Sequence, residues 1–245
     1  MASSSLASLP CQDFSQTRNG AQLALAAGTI KSYNSLIMLR VYLIRHGETD
    51  WNRDQRVMGQ LDIPLNETGR AQAERTAEFL ASEKISAIYA SDLSRAWETA
   101  RCIAEKQGLS PIATPEIREM RYGHWEGLTR DEVIEKYPAE YAERTRNPSR
   151  FQPSGGESRR QLFERASKKF EEIAARHANE TIALVAHGGT CRAIASYIAG
   201  VNGWGQFAID NCSISIVDCL DDGTREVSLL NSTYHLRDLY TKDFF

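Results

Sequence analysis

Two short apolar runs, Val41–Ile44 and Thr181–Ala186, each close on a His-Gly step, His46-Gly47 and His187-Gly188-Gly189. Neither run alternates polar with apolar residues, which suits parallel strands covered on both faces. In an open parallel sheet, ligands bind outside the carboxyl ends of the strands. Both histidines are therefore expected at one edge of one sheet, within reach of each other. Arg45 arrives with His46, and Gly47 permits a sharp exit from the strand.

The intervening chain reads as alternating helices and strands. Asn52 to Leu65 is irregular, and Asn66 can cap a helix whose buried face holds Ala73, Ala77 and Leu80. Ser86 to Ala90 is a second strand, followed by a helix with Ala96, Ala100 and Ile103 at helical spacing that ends at Gly108 and Pro111. Ile117 to Gly127 is too glycine-rich for a helix, and short helices at Thr129–Tyr137 and around Tyr141 make a small cap. Ser158-x-x-Gln161 is a capping box ahead of a stripe of Leu162, Phe163, Ala166, Phe170, Ile173 and Ala174. A helix over Thr190–Ala199 follows the second His-Gly. Ser213–Asp218 and Glu226–Leu230 alternate like antiparallel or edge strands joined at Asp221-Asp222-Gly223. The expected fold is α/β: three layers, a mostly parallel central sheet with helices on both faces, and a helical cap.

Residues 1–37 stand apart. They are rich in Ser and Ala, with Asp13 the only acid. The composition suits a transit peptide, and equally a vector leader or an upstream extension ahead of Met38. They are expected to be disordered, with residues 38–245 forming one domain. The chain is accordingly expected in the cytoplasm, or in a plastid or mitochondrion if the leader is a transit peptide. Five cysteines, odd in number and without a C-x-x-C pair, indicate neither a disulfide framework nor a thiolate zinc site. A net charge of −3 with no basic block argues against nucleic acid, and no apolar run is long enough to span a bilayer.

Arg45 and Arg95 supply guanidinium forks suited to phosphate oxygens, and a helix opening at Gly188-Gly189 presents backbone N–H groups at its positive end. Asn52 is a further donor. Together these describe a pocket for a tetrahedral dianion, with no clustered carboxylates of the kind a magnesium site needs.

Four ordered motifs carry a resemblance: Arg45-His46-Gly47-Glu48-Thr49-x-x-Asn52, Ser91-Asp92-Leu93-Ser94-Arg95-Ala96-x-x-Thr99-Ala100, Glu119 before Tyr122-Gly123-x-Trp125-Glu126-Gly127, and His187-Gly188-Gly189. The chain resembles the histidine phosphatase (phosphoglycerate mutase-like) superfamily over about Met38 to Leu236. The resemblance implies that His46 attacks phosphorus to form a phosphohistidine. Glu119 is implied to protonate the leaving oxygen and later activate water. Arg45, Arg95 and His187 would stabilise the transferring phosphoryl group, and Asn52, Gly188, Arg121 and Tyr122 would contact substrate. No metal or other cofactor is implied, and the partner is a small phosphomonoester; dimerisation, common among such relatives, is left open.

The superfamily holds phosphatases and mutases. Glycolytic mutases carry a longer insertion between acid and second histidine, and typically Asn after that His-Gly. Here the separation is 68 residues (187 − 119) and Gly189 stands in that place. The expectation is a metal-independent phosphatase; the alternatives are a phosphoglycerate mutase and a non-catalytic phosphometabolite-binding protein. Elsewhere, His235 reads as a surface residue, His124 as a rim residue, and Trp51 and Trp125 as packing. Glu157 reads as a first-turn acid with a supporting role at the pocket as the other reading. Cys191, at a helix N-terminus where thiolate is favoured, reads as packing.

Overall fold

In the computed structural model, residues 36–201 and 205–241 are described. Most of the proposed leader therefore lies outside the described residues, but its last residue, Ile37, already belongs to the first strand. The described residues belong to one compact unit.

The sheet has six strands: β1 (Ile37–Arg45), β2 (Ala87–Ala90), β3 (Ile112–Ala113), β4 (Glu180–Ala186), β5 (Ile214–Leu220) and β6 (Arg225–Ser232). Their spatial order is β3-β2-β4-β1-β5-β6. β3, β2, β4 and β1 run parallel; β5 is antiparallel to both β1 and β6. β5 alone therefore opposes the other strand directions, and the expectation of a mostly parallel sheet holds. The β5–β6 hairpin turns at Gly223, whose φ of 78° suits glycine.

Helices α2 (Glu67–Leu80) and α3 (Ser94–Gln107) cover one face of the sheet; α6 (Arg159–Ala174) and α7 (Gly188–Ile198) cover the other. The lack of polar alternation in β1 follows directly. Val41 and Leu43 pack with Phe170 and Ile194 of α6 and α7, while Tyr42 and Ile44 pack with Ala77, Leu80 and Ile103 of α2 and α3. Both faces need apolar residues, each buried aliphatic side chain contributing about 1.5–3 kcal/mol.

Local signals behaved as expected where the partner lies within one turn. Asn66 Oδ1 accepts from Gly69 N–H at 2.8 Å, and the Ser158/Gln161 capping box is complete. Asn52 and Arg53, the start of the segment read as irregular, instead belong to a one-turn helix, α1 (Asp50–Arg53), capped by a Thr49/Asn52 box. α7 starts at Gly188, two residues before the expected position. α4 (Arg130–Lys136) and α5 (Pro138–Arg146) form the cap.

The C-terminal segment folds back. Leu236 is fully buried against Leu65 and Ala73, and Gln72 Nε2 donates to Leu239 O at 2.8 Å. His235, read as a surface residue, is instead 6% exposed, 3.0 Å from Thr76 Oγ1 and stacked on Phe79.

Candidate active site

β1 and β4 are neighbours, with Arg45 opposite Ala186. The next residue on each strand is a histidine, and His46 N–H prolongs the ladder by donating to Ala186 O at 3.0 Å. The two rings meet edge to face with centroids 5.2 Å apart. His46 is 2% exposed and His187 fully buried.

His46 Nδ1 lies 2.6 Å from the carbonyl oxygen of Gly47. A carbonyl only accepts, so Nδ1 carries the hydrogen and Nε2 keeps its lone pair. Burial pushes the His46 pKa well below the usual histidine range; Arg95 and Arg45 push the same way and the Gly47 hydrogen bond opposes them. The ring is held as neutral imidazole. Its backbone is pinned by Asn211 Nδ2 and Cys212 N–H, which both donate to His46 O.

His187 Nε2 sits 2.8 Å from Ser91 Oγ, at the end of β2, and its buried Nδ1 has no hydrogen-bond partner. Its pKa is also driven well down, by burial first and then by Arg95, His46 and Arg45.

Arg95 enters from the first turn of α3. Its guanidinium is fully buried and donates to Leu61 O and Gly59 O, both at 2.8 Å, while its Nε has no partner. Desolvation lowers its pKa to about 10. Among the described residues no carboxylate pairs with it within ion-pair distance. The charges of Glu119 and Asp62 offset its burial only in part, and a bound anion adds to them. The carbonyl of Gly59 reaches Arg95 from a left-handed residue, φ 55°, at which a β-carbon would overlap the Glu126 carboxylate. Arg45 donates to Ile209 O at 2.7 Å.

The Glu119 carboxylate is fixed from both sides, Oε1 accepting from Met120 N–H at 2.7 Å and Oε2 from Gly189 N–H at 2.9 Å. The second donor belongs to the first turn of α7, whose positive end favours a carboxylate. Behind it, Gln60 Nε2 donates to Glu119 O at 3.0 Å. Arg165 spans Glu157 and the carbonyls of Glu116 and Arg118. Glu157 precedes the cap of α6 instead of lying in its first turn, so it braces the loop that carries Glu119.

A cavity of about 360 Å³ opens over these groups. Of the sequence candidates it is lined by Arg45, His46, Asn52, Arg95, Glu119 and Tyr122. His187, Gly188 and Arg121 do not line it. His187 is fully buried, its ring edge to face with His46. Gly188 forms the first residue of α7, and Arg121 is exposed, bonded through its backbone to Glu157. Asn52 Oδ1 accepts from Thr49 N–H and Thr49 Oγ1. Trp125, read as packing, is 2% exposed and also faces the cavity. Sequence reasoning missed Gly59, Ser91 as the partner of His187, and the cap residues Arg130, Tyr141 and Arg144. Ser91 was within reach of the strand-end rule that found the histidines; the cap residues left no such signal. Cys191 is buried packing, and desolvation pushes its thiol pKa up despite the helix N-terminus. Among the described residues no group of three or more His, Cys, Asp or Glu could hold a metal ion. No helix among them is long and apolar enough to cross a membrane.

The family pattern of the histidine phosphatase superfamily (branch 1) matches residues 41–233. The chain belongs to that superfamily. This histidine phosphatase is 37% identical over 206 residues to the metal-independent phosphoserine phosphatase of Arabidopsis thaliana, covering 80% of this chain and 85% of that one. It is 34% identical over 207 residues to phosphoserine phosphatase 1 of Hydrogenobacter thermophilus, covering 84% and 98%. Among solved structures, a mycobacterial glucosyl-3-phosphoglycerate phosphatase in complex with VO3 superposes with a TM-score of 0.72 at 30% identity, covering 79% of this chain and 99% of that one. The resemblance read from the four motifs is borne out.

Proposed function

We propose that this histidine phosphatase hydrolyses small phosphomonoesters through a phosphohistidine on His46. The observation that carries the reading is a neutral imidazole, its Nδ1 anchored on Gly47 O, beside the buried guanidinium of Arg95.

In the first half, the Nε2 lone pair attacks phosphorus and the ester P–O bond breaks. The leaving oxygen takes a proton from Glu119 and departs as the alcohol. An adjacent phosphate dianion favours the protonated carboxyl this requires. Arg45, Arg95 and the His187 region stabilise the charge on the three peripheral oxygens. In the second half, water attacks phosphorus, its proton passes to Glu119, and the N–P bond breaks to release phosphate. The cycle closes on neutral His46 and a protonated Glu119, the same forms that began it.

The phosphatase reading over the mutase reading is supported by the short cap of α4 and α5 and by the names of two relatives, both phosphoserine phosphatases, although other relatives are named phosphoglycerate mutases. Release of inorganic phosphate from a panel of phosphomonoesters, with a chelator in place of added metal, tests it. Mutase turnover dependent on bisphosphoglycerate, with negligible hydrolysis, overturns it. We place the activity in the cytoplasm, or in a plastid or mitochondrion if residues 1–37 direct it there. Fluorescent fusions with and without those residues distinguish the two.

A further inference from the structure

Residues 209–213, just before β5, carry none of the four motifs, yet they grip the end of the nucleophile strand. Arg45 donates through its guanidinium to Ile209 O at 2.7 Å and through its backbone N–H to Ser213 O at 3.3 Å. Between those contacts, His46 O accepts from Asn211 Nδ2 at 3.0 Å and from Cys212 N–H at 3.2 Å. A carbonyl only accepts, so the amide branch that faces it is the nitrogen. The same nitrogen reaches a second acceptor, Asn52 Oδ1, at 3.3 Å.

Asn211 is buried and does not line the cavity, whereas His46 and Asn52 both do. Its amide therefore stands behind the site and joins two of its residues. The peptide linking His46 to Gly47 is held at its other end too, because Gly47 N–H donates to Thr99 Oγ1 at 3.1 Å. Gly47 O, which anchors His46 Nδ1, hangs from that clamped peptide. Cys212, donating beside Asn211, sits at φ 53°, a left-handed conformation that is strained in a cysteine. Such strain persists where the surroundings over-determine the backbone, and it concentrates at functional sites. On the far side, Asn52 Oδ1 also accepts from Thr49 N–H and Oγ1, so the Asn211 amide ties the cap of α1 to the nucleophile.

We propose that Asn211 is a positioning residue for phosphoryl transfer, its one amide nitrogen keeping the His46 ring and the Asn52 side chain in a fixed relation to the phosphorus. In-line attack tolerates little misplacement, a shift of about 1 Å costing about 100-fold in rate. An amide meets the need because its nitrogen carries two hydrogens; the carboxylate of an aspartate, of the same shape, would set an acceptor against two acceptors. The inference rests on the phosphatase reading for its turnover measurement but not for its binding measurement.

The test compares Asn211→Asp and Asn211→Ala with the wild-type full-length protein. In turnover of the best substrate from the phosphomonoester panel, kcat is expected to fall by about 10- to 100-fold, with a much smaller change in KM. The second readout is Kd for two inorganic oxyanions, phosphate and orthovanadate. Vanadium accepts a fifth ligand, so vanadate binding reports whether the His46 lone pair is aimed, as a transition-state analogue does, while phosphate binding reports the charge of the pocket. Both variants are expected to weaken vanadate by about 10- to 100-fold and phosphate far less. Read on the vanadate Kd, Asn211→Ala combined with Asn52→Ala should lose less than the product of the two single losses. Equal weakening of the two oxyanions, an additive cycle, an unchanged kcat, or variants that do not fold would make Asn211 a purely structural residue and overturn the inference. A wild-type protein that turns over no ester would instead remove the phosphatase reading, and the comparison of vanadate with phosphate then decides this inference by itself.

Discussion

The Glu119 carboxylate occupies the space that a side chain at Gly189 would need. Gly189 N–H donates to Glu119 Oε2 at 2.9 Å, while a β-carbon on residue 189 would overlap Oε1 and stand 3.2 Å from Leu162 Cδ2. Gly189 is helical, so conformational freedom is not the reason for glycine here; close approach is. Gly189→Ala is expected to displace the acid and lower kcat by about 10- to 100-fold, part of the 10²–10⁴ that general acid–base catalysis contributes, with a much smaller effect on KM. Steady-state kinetics check this, and an unchanged kcat would show that Glu119 works from another position.

Ser91 Oγ anchors the buried ring of His187, standing 2.8 Å from its Nε2. Ser91→Ala removes that constraint and is expected to lower kcat by about tenfold, the worth of one buried hydrogen bond. Ser91→Thr, which keeps the hydroxyl, should restore most of it; a general loss of packing would not be rescued this way.

Arg95→Met strips donors from the carbonyls of Gly59 and Leu61 and removes the buried positive charge. Stability is expected to fall by about 1–3 kcal/mol, read by urea unfolding. Inorganic phosphate should raise the melting temperature of the wild-type protein, since it binds only the folded state. That protection should largely vanish in the variant, and full protection there would mean that Arg95 is not the anion's partner.

His235 makes stability depend on pH. Its pKa is lowered to about 4, chiefly by burial, against an ordinary value of 6.5. The unfolded chain binds the proton more readily, so stability is fully present above about pH 6.5 and is lost as the pH falls towards 4. The slope for one such group is about 1 kcal/mol per pH unit once partial solvent screening is allowed for. His46 and His187, also driven down, act in the same direction. His235→Gln should flatten the decline between about pH 6.5 and 4 without abolishing it. Parallel declines in the two proteins would show that His235 does not titrate on unfolding.

What could be read without coordinates was whatever depends on neighbours in the chain. Asn66 and Ser158 cap helices because their acceptors meet N–H groups three residues on. Cys191 shows where local reasoning stops, because the helix N-terminus favours a thiolate but burial outweighs it and raises the pKa. His235 was misread for the same reason, since nothing near it in sequence shows that Thr76 and Phe79 will enclose it.

The sequence by itself determined the chemistry. Doubly apolar strands must be covered on both faces, and such strands ending in His-Gly deliver Arg45, His46 and His187 to one sheet edge. Only the tertiary structure decided which groups tune them. Gly47 O selecting the His46 tautomer is a contact along the chain, but Ser91 against His187 and Gly189 against Glu119 bring together residues 96 and 70 positions apart. The cap arginines belong with these, because their orientation comes from rings that they meet only once α4 and α5 fold over the sheet. Hydrogen-bond geometry and desolvation act through space over a few ångströms, and sequence patterns register such contacts only when the two partners lie within a turn or a strand of each other.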